Sequence, residues 1–276
     1  MADDIHIRPA ETTRERRALV TFPWRIYRDD PLWVPPLISE RLARLDPERN
    51  PFFQNGEAQP LLACRRGKLV GTIVPAIDHR SNHYLGEEVA IFGFFEVVED
   101  YAVAEALFRA AADWARQKGM KALRGPYNFT ASDEPGLLVA GRDTPPVLLT
   151  GHNPPYYVDF VQRYGFVPFG ADSLAFRVWV TPYEGDPERL PPKLLRVAEA
   201  VQKRGGLTLR HGQLDRRAEE MESAFHIYNG ALSTLPCFVP LTRAEFERQA
   251  RTLEPLLDPD FVLFAEVKGE PAGFAL

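Results

Sequence analysis

The chain has 276 residues, of which 45% are hydrophobic and 26% are charged, a balance that excludes a disordered or fibrous protein. Lys and Arg number 33 against 38 Asp and Glu, so the formal charge of -5 leaves no basic surplus for a phosphate backbone and argues against a nucleic-acid partner. No apolar run reaches the roughly 18 residues of a membrane span, and the N-terminus is charged where a signal peptide is apolar. We therefore expect a cytoplasmic protein with no membrane partner.

Few side chains have the spacing of metal ligands. Cys64 and Cys237 lie far apart and belong to no Cys/His cluster, which indicates separate thiols in a reducing compartment. His79 and His83 have the i, i+4 spacing that would chelate a metal on a helix, but they fall in a polar connection after a strand with no third ligand in view. We predict no bound metal.

The first elements in chain order are a strand, two helical segments and a hairpin. Residues 5–9 read as a short strand, and residues 11–28 have a helical pattern that Pro23 interrupts. Residues 35–45 place apolar side chains on one helical face, and residues 61–74 read as a β-hairpin.

A long apolar strand and the most regular helix follow. Residues 88–98 predict a strand in which Gly93 marks a bulge or a close backbone approach. Asp100 is the predicted N-cap of a helix that closes at Gly119. The strand predicted at residues 121–127 completes a strand–helix–strand crossover, which makes a parallel pair.

The next segments predict a helix and two closing strands. The helix runs from Asn153, its predicted N-cap, to Gly165. The segments FVPFG and SLAFRVWV, residues 166–170 and 173–180, are the predicted strands.

The chain also contains an internal repeat. Residues 62–73 align without a gap on residues 264–275, and residues 5–8 align on residues 207–210 at the same offset of 202. Because the second copy stops inside its second hairpin strand, we expect the chain to be a truncated form of a longer two-domain protein.

The order of elements resembles the GNAT acyltransferase superfamily. The resemblance is carried by the strand AIFGFFEVV leading into the helix at residues 101–118, and by NPPYYVDFVQRYGFVPFG, which is similar to the family's tyrosine-bearing helix and the GF strand after it. It implies an α/β (α+β) fold with a GNAT-like mixed sheet flanked by helices over residues 1–180. A linker and connecting helix at 181–206 and the N-terminal half of a second GNAT-like domain at 207–276 would follow.

The resemblance implies acetyl-CoA as co-substrate, bound along the long strand and at the start of the helix after it. The family's loop, Q/R-x-x-G-x-G/A, wraps the pyrophosphate with backbone N–H groups. Here the corresponding residues 99–104 begin with the carboxylates of Glu99 and Asp100 and contain no glycine, so the sequence leaves CoA binding open. The predicted cofactor-binding residues are Phe95, Val97, Val98, Ala102, Ala104 and Asn153.

The resemblance also supplies catalytic candidates. Glu96 would take the proton from the amine, and Tyr156 or Tyr157 would protonate the leaving thiolate. The structural alternative for Glu96 is a side chain that only faces solvent. The alternative for the two tyrosines is a place in the apolar core. In the polar loop after the crossover strand, Asn128, Ser132 and Glu134 are predicted to bind the acceptor amine.

The function predicted from these residues is N-acyl transfer, most simply N-acetyl transfer, to an amine of a small molecule. One alternative is a catalytically degenerate GNAT-like module that binds a ligand or acts as a scaffold. Another is aminoacyl transfer from a charged tRNA, against which the acidic charge argues. The sequence leaves open whether the chain forms a homodimer.

Overall fold

The computed structural model describes residues 5–130, 134–147, 150–177, 179, 184–235, 238–254 and 257–276. The chain divides into two compact units, Met1–Pro168 and Phe169–Leu276. The first unit contains strands β1 (Ile5–Pro9), β2 (Gly56–Ala58), β3 (Leu61–Arg65), β4 (Lys68–Asp78), β5 (Val89–Val97) and β6 (Ala122–Arg124). Its helices are α1 (Thr13–Thr21), α2 (Pro23–Ile26), α3 (Ile38–Arg44), α4 (His79–Leu85), α5 (Tyr101–Gln117) and α6 (Tyr156–Tyr164), with a 3₁₀ turn at Pro51–Gln54.

One mixed sheet organises the first unit. Its order is β1-β3-β4-β5-β6, and β2 pairs with the far end of β4. Every pair is antiparallel except β5 and β6, which run parallel. The sequence-predicted crossover through α5 is therefore confirmed.

Strand β5 separates from β6 after a short pairing. The parallel ladder covers only Val89–Ile91 against Ala122–Arg124. The register with β4 also shifts between Thr72 and Val74, and Phe94 has a left-handed φ of 46°. The second half of β5 is consequently a bent strand with a free edge, whose backbone groups need partners other than β6.

Helix α5 follows the predicted pattern closely. The Asp100 side chain accepts a hydrogen bond from Ala102 N at 2.9 Å, which caps the helix as expected. Gly119, just past the end, has a φ of 81°. The helix is amphipathic, and the side chains of Val103, Leu107 and Phe108 are completely buried against the sheet.

Apolar side chains cover both faces of the sheet. On one face, α5 and α6 pack against β5, and the rings of Phe95 and Phe108 are stacked with centroids 4.6 Å apart. On the other face, α1, α3 and the 3₁₀ turn enclose a smaller cluster in which Phe52 and Phe129 are stacked. Burial on both faces explains why β5 reads as a nearly continuous apolar run.

Three predictions of local structure are wrong. The described residues between Phe166 and Trp179 include no strand, so the two predicted closing strands do not form; residues 178 and 180 lie outside the described part. Asn153 is not an N-cap, because helix α6 begins after Pro155, which makes no side-chain cap. His79 and His83 lie on helix α4 rather than in a polar connection.

The second unit is built on a three-stranded sheet. It contains helices α7 (Pro192–Arg204), α8 (Arg217–Leu232) and α9 (Arg243–Leu253), strands β7 (Leu207–His211), β8 (Leu263–Val267) and β9 (Glu270–Ala275), and 3₁₀ turns at Pro187–Arg189, Leu214–Arg216 and Pro259–Phe261. The sheet order β7-β8-β9 corresponds to β1-β3-β4. Ile5 pairs with Arg65, and 202 residues later Leu207 pairs with Val267.

Gly93 provides a test of the bent strand. A Cβ at this position would lie 2.1 Å from the carbonyl oxygen of Tyr127, so the tyrosine backbone must move to admit a methyl group. We expect Gly93→Ala to lower the free energy of unfolding by about 2 kcal/mol or more, as overpacking of a rigid site does.

The measurement is denaturant unfolding, with Gly151→Ala as the matched control. At Gly151 the nearest atom to an added Cβ is 3.7 Å away, an ordinary contact. We expect that control to change stability by about 0.5 kcal/mol or less. Equal stabilities for the two variants would show that Gly93 is not held against Tyr127.

Candidate active site

A pocket of about 110 Å³ lies beside the bent half of β5 in the first unit. Part of its wall is apolar and comes from α1 and the segment after α2. The polar side chains of the wall are those of Arg41, Thr72, Glu96, Asn128, Glu134, Thr150 and His152. Two of the three predicted acceptor-binding residues therefore meet the predicted base; Ser132, the third, lies outside the described residues.

Glu96 is the chemically distinctive residue of this pocket. The side chain projects from the bent part of β5, and its Oε2 accepts a hydrogen bond from the hydroxyl of Tyr157 at 2.8 Å. Burial raises the pKa of Glu96 to about 7, against the opposing effects of hydrogen bonds from Tyr157 and Tyr27. The nearby charges of Arg41 and Glu134 act in opposite directions on the pKa. A carboxyl group with this pKa exchanges a proton readily at neutral pH.

The two predicted tyrosines on α6 contact the backbone next to Glu96. Val97 N donates to the Tyr157 hydroxyl at 2.8 Å, while the Tyr156 hydroxyl donates to Val97 O at 2.8 Å. Tyr157 is completely buried, and Tyr156 is half-buried. Burial, followed by the charge of Glu96, raises the pKa of both hydroxyls, so both stay protonated at neutral pH.

A third tyrosine approaches Glu96 from the other side. Tyr27, at the end of α2, is buried and stacks on Trp33 with ring centroids 5.0 Å apart. Its hydroxyl donates to the carbonyl oxygen of His152 at 3.1 Å and is also the second hydroxyl that stabilises the charged form of Glu96. Because a hydroxyl carries one proton, these two acceptors compete for it.

The acceptor-binding candidates form one network. Asn128 Oδ1 accepts from Phe94 N at 2.8 Å, and its Nδ2 donates to Glu134 at 2.9 Å. Glu134 in turn forms an ion pair with Arg41 of α3, whose side chain is 12% exposed. The network fixes the loop after β6 against the bent strand, so the polar cluster predicted from the sequence has a structural role even without a ligand.

A carboxylate–imidazole pair forms a further part of the wall. His152 Nε2 lies 2.7 Å from Asp30 Oδ2, and the histidine side chain is 8% exposed. Burial would raise the pKa of Asp30, but hydrogen bonds from His152 and Leu32 N–H hold it below its usual range. Asp30 is therefore the anionic partner of the ring.

The start of α5 is less acidic than its sequence suggests. Asp100 forms an ion pair with Arg65 of β3 at 2.7 Å. Burial would raise the pKa of Asp100, but this pairing and the helix N–H groups hold it below its usual range. Arg163 of α6 adds a second cation, since its guanidinium carbon lies 3.8 Å from the ring centre of Tyr101. The carboxylate of Asp100 is thus compensated, although it occupies the N–H of Ala102.

The predicted cofactor-binding residues are placed unequally around this helix start. Val98, just after the bent strand, is half-buried, and Ala102 is exposed on the first turn of α5. Phe95, Val97 and Ala104, in contrast, are buried in the core. Asn153 is also buried, where its Oδ1 accepts from Leu138 N.

Sequence reasoning missed the residues that reach the pocket from distant parts of the chain. These residues are Tyr27, Asp30, Arg41 and His152, and Arg65 is the corresponding omission at the start of α5. The His79 ring, which has the i, i+4 spacing to His83, pairs with the carboxylate of Glu57. The described part of the chain contains no group of three residues able to hold a metal ion. None of its helices has the length and apolarity required to cross a membrane.

Comparison with known proteins identifies two relatives. The chain is 36% identical over 274 residues to the bacterial ceramide synthase of Caulobacter vibrioides, and 32% identical over 258 residues to protein YghO of Escherichia coli. The alignments cover 98% and 94% of this chain but 68% and 64% of the relatives, so the chain spans about two thirds of their length. No protein-family model matches the chain.

A solved structure shares the fold. The chain is similar to a tandem GNAT protein from the clavulanic acid biosynthesis pathway, with a TM-score of 0.54 and 14% identity over 98% of this chain and 73% of that structure. The GNAT-like fold and the α/β class predicted from the sequence are confirmed.

The raised pKa of Glu96 predicts a pH dependence of stability. Between the ordinary glutamate pKa and about 7, the folded chain binds more protons than the unfolded chain, so the contribution of Glu96 to stability is lost as the pH rises through 7. Glu96→Gln removes this dependence. We expect the free energy of unfolding of the unsubstituted chain, relative to that of the variant, to fall by about 2 kcal/mol between pH 5 and pH 8.

Glu88→Gln serves as the control, because Glu88 is exposed and pairs with exposed Lys121. Denaturant unfolding across the pH range measures all three proteins. Parallel curves for the unsubstituted chain and E96Q would contradict the raised pKa.

Proposed function

The chain belongs to the family of the bacterial ceramide synthase, and from that premise we propose that it is an acyl-CoA-dependent N-acyltransferase whose general base is Glu96. The observation that carries the proposal is a carboxyl group with a pKa of about 7, facing a pocket beside the bent part of β5. A base with a pKa near the working pH is suited to removing a proton from a nucleophile.

The proposed reaction assigns one role to each group around Glu96. The acceptor nitrogen attacks the thioester carbonyl carbon; a C–N bond forms, the C–S bond breaks, and CoA leaves as a thiolate. Glu96 takes the proton that the nitrogen loses. Tyr157 is fully buried, so it positions Glu96, whereas half-buried Tyr156 is the tyrosine able to donate a proton to the thiolate.

The name of the relative suggests the substrate class. A ceramide is the amide of a fatty acid and a long-chain amino alcohol, so we propose a fatty acyl-CoA as donor and an amino alcohol as acceptor. Acetyl-CoA, the simplest donor implied by the GNAT resemblance, is the competing donor. The pocket beside Glu96, at about 110 Å³, has room for the polar head of such an acceptor.

The second candidate is a ligand-binding or scaffolding module without turnover. In the GNAT pattern, backbone groups of the bent strand receive pantetheine, but here Val97 N and Val97 O are engaged by Tyr157 and Tyr156. The Asp100 carboxylate likewise occupies the N–H of Ala102, where a phosphate would bind. Acyl-CoA would have to displace these contacts, which favours the module.

A turnover assay tests whether Glu96 is the general base. Release of the CoA thiol is followed with fatty acyl-CoA or acetyl-CoA and a panel of amines. We expect Glu96→Gln to lower kcat/KM by roughly 100-fold or more, the usual contribution of a general base. In the unsubstituted chain, kcat/KM should rise with pH through an apparent pKa of about 7.

The exposed control Glu88→Gln should keep full activity. Activity of E96Q within about three-fold of the unsubstituted chain would remove Glu96 from the reaction, since a general base contributes far more than that. Complete inactivity of the folded chain with every donor and amine would favour the module.

Binding of acyl-CoA is a separate prediction. Arg163 lies beside the start of α5, where it can attract the pyrophosphate. We expect Arg163→Gln to weaken acyl-CoA binding about 10-fold in a calorimetric titration, the effect of losing one charge-assisted contact.

The matched control is Arg109→Gln on α5, because Arg109 is exposed and pairs with Glu105. If both variants lost the same affinity for acyl-CoA, Arg163 would act only through the net charge of the chain. Absence of binding to a folded, unsubstituted chain would contradict the cofactor site.

A further inference from the structure

Helix α7 of the second unit is exposed along its whole length. None of its 13 residues is buried, and Leu195 is the only one that is half-buried. A helix of this length is only marginally stable alone in water, and in proteins it usually depends on the packing of its apolar face. Within the residues that the structure describes, α7 therefore lacks the packing partner that its length requires.

One face of α7 is apolar. Leu194, Val197 and Val201 have the i, i+3 and i+7 spacing that places them on the same side of a helix, and their exposed fractions are 56%, 55% and 37%. Single exposed aliphatic side chains are normal on a protein surface, but three in a row on one helix form a continuous stripe. This apolar stripe stays in contact with water unless a partner covers it.

The rest of the helix surface is basic. Four cations, those of Lys193, Arg196, Lys203 and Arg204, stand against the one carboxylate of Glu199, in a chain whose formal charge is -5. Lys203 lies 3.7 Å from Glu199, whereas no carboxylate of the described residues pairs with the other three. An acidic chain that concentrates unpaired cations on one helix is complementary to an anionic partner.

The positions of the cations around the helix fit the apolar stripe. At 100° per residue, Arg196 and Lys203 lie opposite the stripe, while Lys193 and Arg204 flank it. Flanking cations have long aliphatic stems, so their charged ends can reach a polar layer while the stems lie along an apolar one. The helix is therefore built for a boundary between an apolar and an anionic layer.

These two properties together identify the kind of partner. An RNA backbone would use the cations but not the stripe, and an apolar groove of a protein would use the stripe but not the cations. The surface of an anionic lipid bilayer uses both, because an amphipathic helix lies there with its apolar side chains among the acyl chains and its cations at the headgroups.

We propose that α7 docks the chain on the surface of an anionic lipid bilayer, with the apolar stripe inserted and the cations at the headgroups. A helix that lies on the surface needs no spanning segment, so this contact differs from the membrane span that the sequence argues against. The inference does not depend on the chemistry of Glu96. On the proposed function, docking keeps the chain where long-chain substrates dissolve.

Sedimentation of the 276-residue chain with sucrose-loaded vesicles measures this contact without turnover. We expect the chain to bind vesicles of phosphatidylcholine and phosphatidylglycerol in equal parts, and to bind pure phosphatidylcholine about 10-fold more weakly or less, because the cations then lose their anionic partners. Salt at about 0.5 M should weaken binding to the anionic vesicles, since it screens charges at a surface.

The first variant removes the apolar stripe and leaves the charge unchanged. Leu194→Gln combined with Val197→Gln keeps a good helix former at both positions, and we expect it to lower partitioning into anionic vesicles by about 10-fold or more. The matched control is Leu235→Gln combined with Val139→Gln, a leucine and a valine that are 53% and 61% exposed elsewhere in the chain. The control should bind within about two-fold of the unsubstituted chain.

The second variant removes charge and leaves the stripe. Lys193→Gln combined with Arg196→Gln should weaken binding to anionic vesicles by roughly 30-fold, the effect of two cations near the membrane surface. The matched control is Arg109→Gln combined with Arg116→Gln on α5, which changes the net charge equally at exposed positions. Binding of this control should stay within about three-fold, because screening confines the effect of a charge to its surroundings.

Three outcomes would overturn the inference, once circular dichroism has shown that each protein is folded. The first is absence of binding to anionic vesicles. The second is an equal loss in each variant and its control, since general charge or general exposure would then explain the adsorption. The third is a dimer in solution that L194Q with V197Q dissociates while vesicles stay unbound, which would assign the stripe to a second copy of the chain.

Release of CoA is measured separately, so that the two proposals can fail independently. A chain that binds vesicles through α7 but releases no CoA supports the docking helix and removes the acyltransferase. A chain that acylates amines but fails to bind vesicles retains the acyltransferase and loses the docking helix.

Discussion

The free edge of β5 is the constraint from which the candidate site follows. Once β5 leaves β6 after Ile91, its backbone groups no longer have a ladder, and buried N–H and C=O groups without partners are costly. The structure supplies partners from two segments: Tyr127 and Asn128 follow β6, and Tyr156 and Tyr157 lie on α6. Because both segments bond to the free edge of β5, the loop after β6 and helix α6 lie next to each other.

The position of Glu96 makes that arrangement chemically useful. Tyr157 bonds both to the N–H of Val97 and to the carboxyl group of Glu96, so the residue that satisfies the strand also orients the base. The same packing buries the carboxyl group, and this burial raises the pKa of Glu96 to about 7. The packing that supports the strand edge is thus also what makes Glu96 a suitable base. Any substitution at Tyr157 affects both.

The sequence predicted the elements whose signals are local. The cap at Asp100, the glycine at the end of α5 and the crossover were readable because each depends on residues a few positions apart. The cap at Asn153 was wrong because Pro154 and Pro155 carry the chain into α6, while Asn153 bonds to the loop. Phe169 and Phe176 read as strand residues, but both are exposed and outside any strand.

Only part of the candidate site could be predicted from the sequence, because some of its residues come from distant parts of the chain. Glu96 and the two tyrosines of α6 belong to segments that resemble the GNAT pattern. Tyr27 reaches the site from α2, and Arg41 reaches it from α3, more than fifty residues before Glu96. No local pattern distinguishes such residues from ordinary core or surface positions. Their roles appear only when the sheet brings the segments together.

The two units share several interactions at corresponding places in their sheets. Arg8 of β1 pairs with Glu15 of α1, and Arg210 of β7, 202 residues later, pairs with Glu220 of α8. The turns at Gly67 and Gly269 both have positive φ, and each hairpin shifts register after the aligned alanine. These features fix how a first strand meets its helix and how the hairpin twists. Both units share these features although their other side chains differ, so the geometry of a sheet of this kind is set by a few local interactions and leaves the remaining side chains free for other roles.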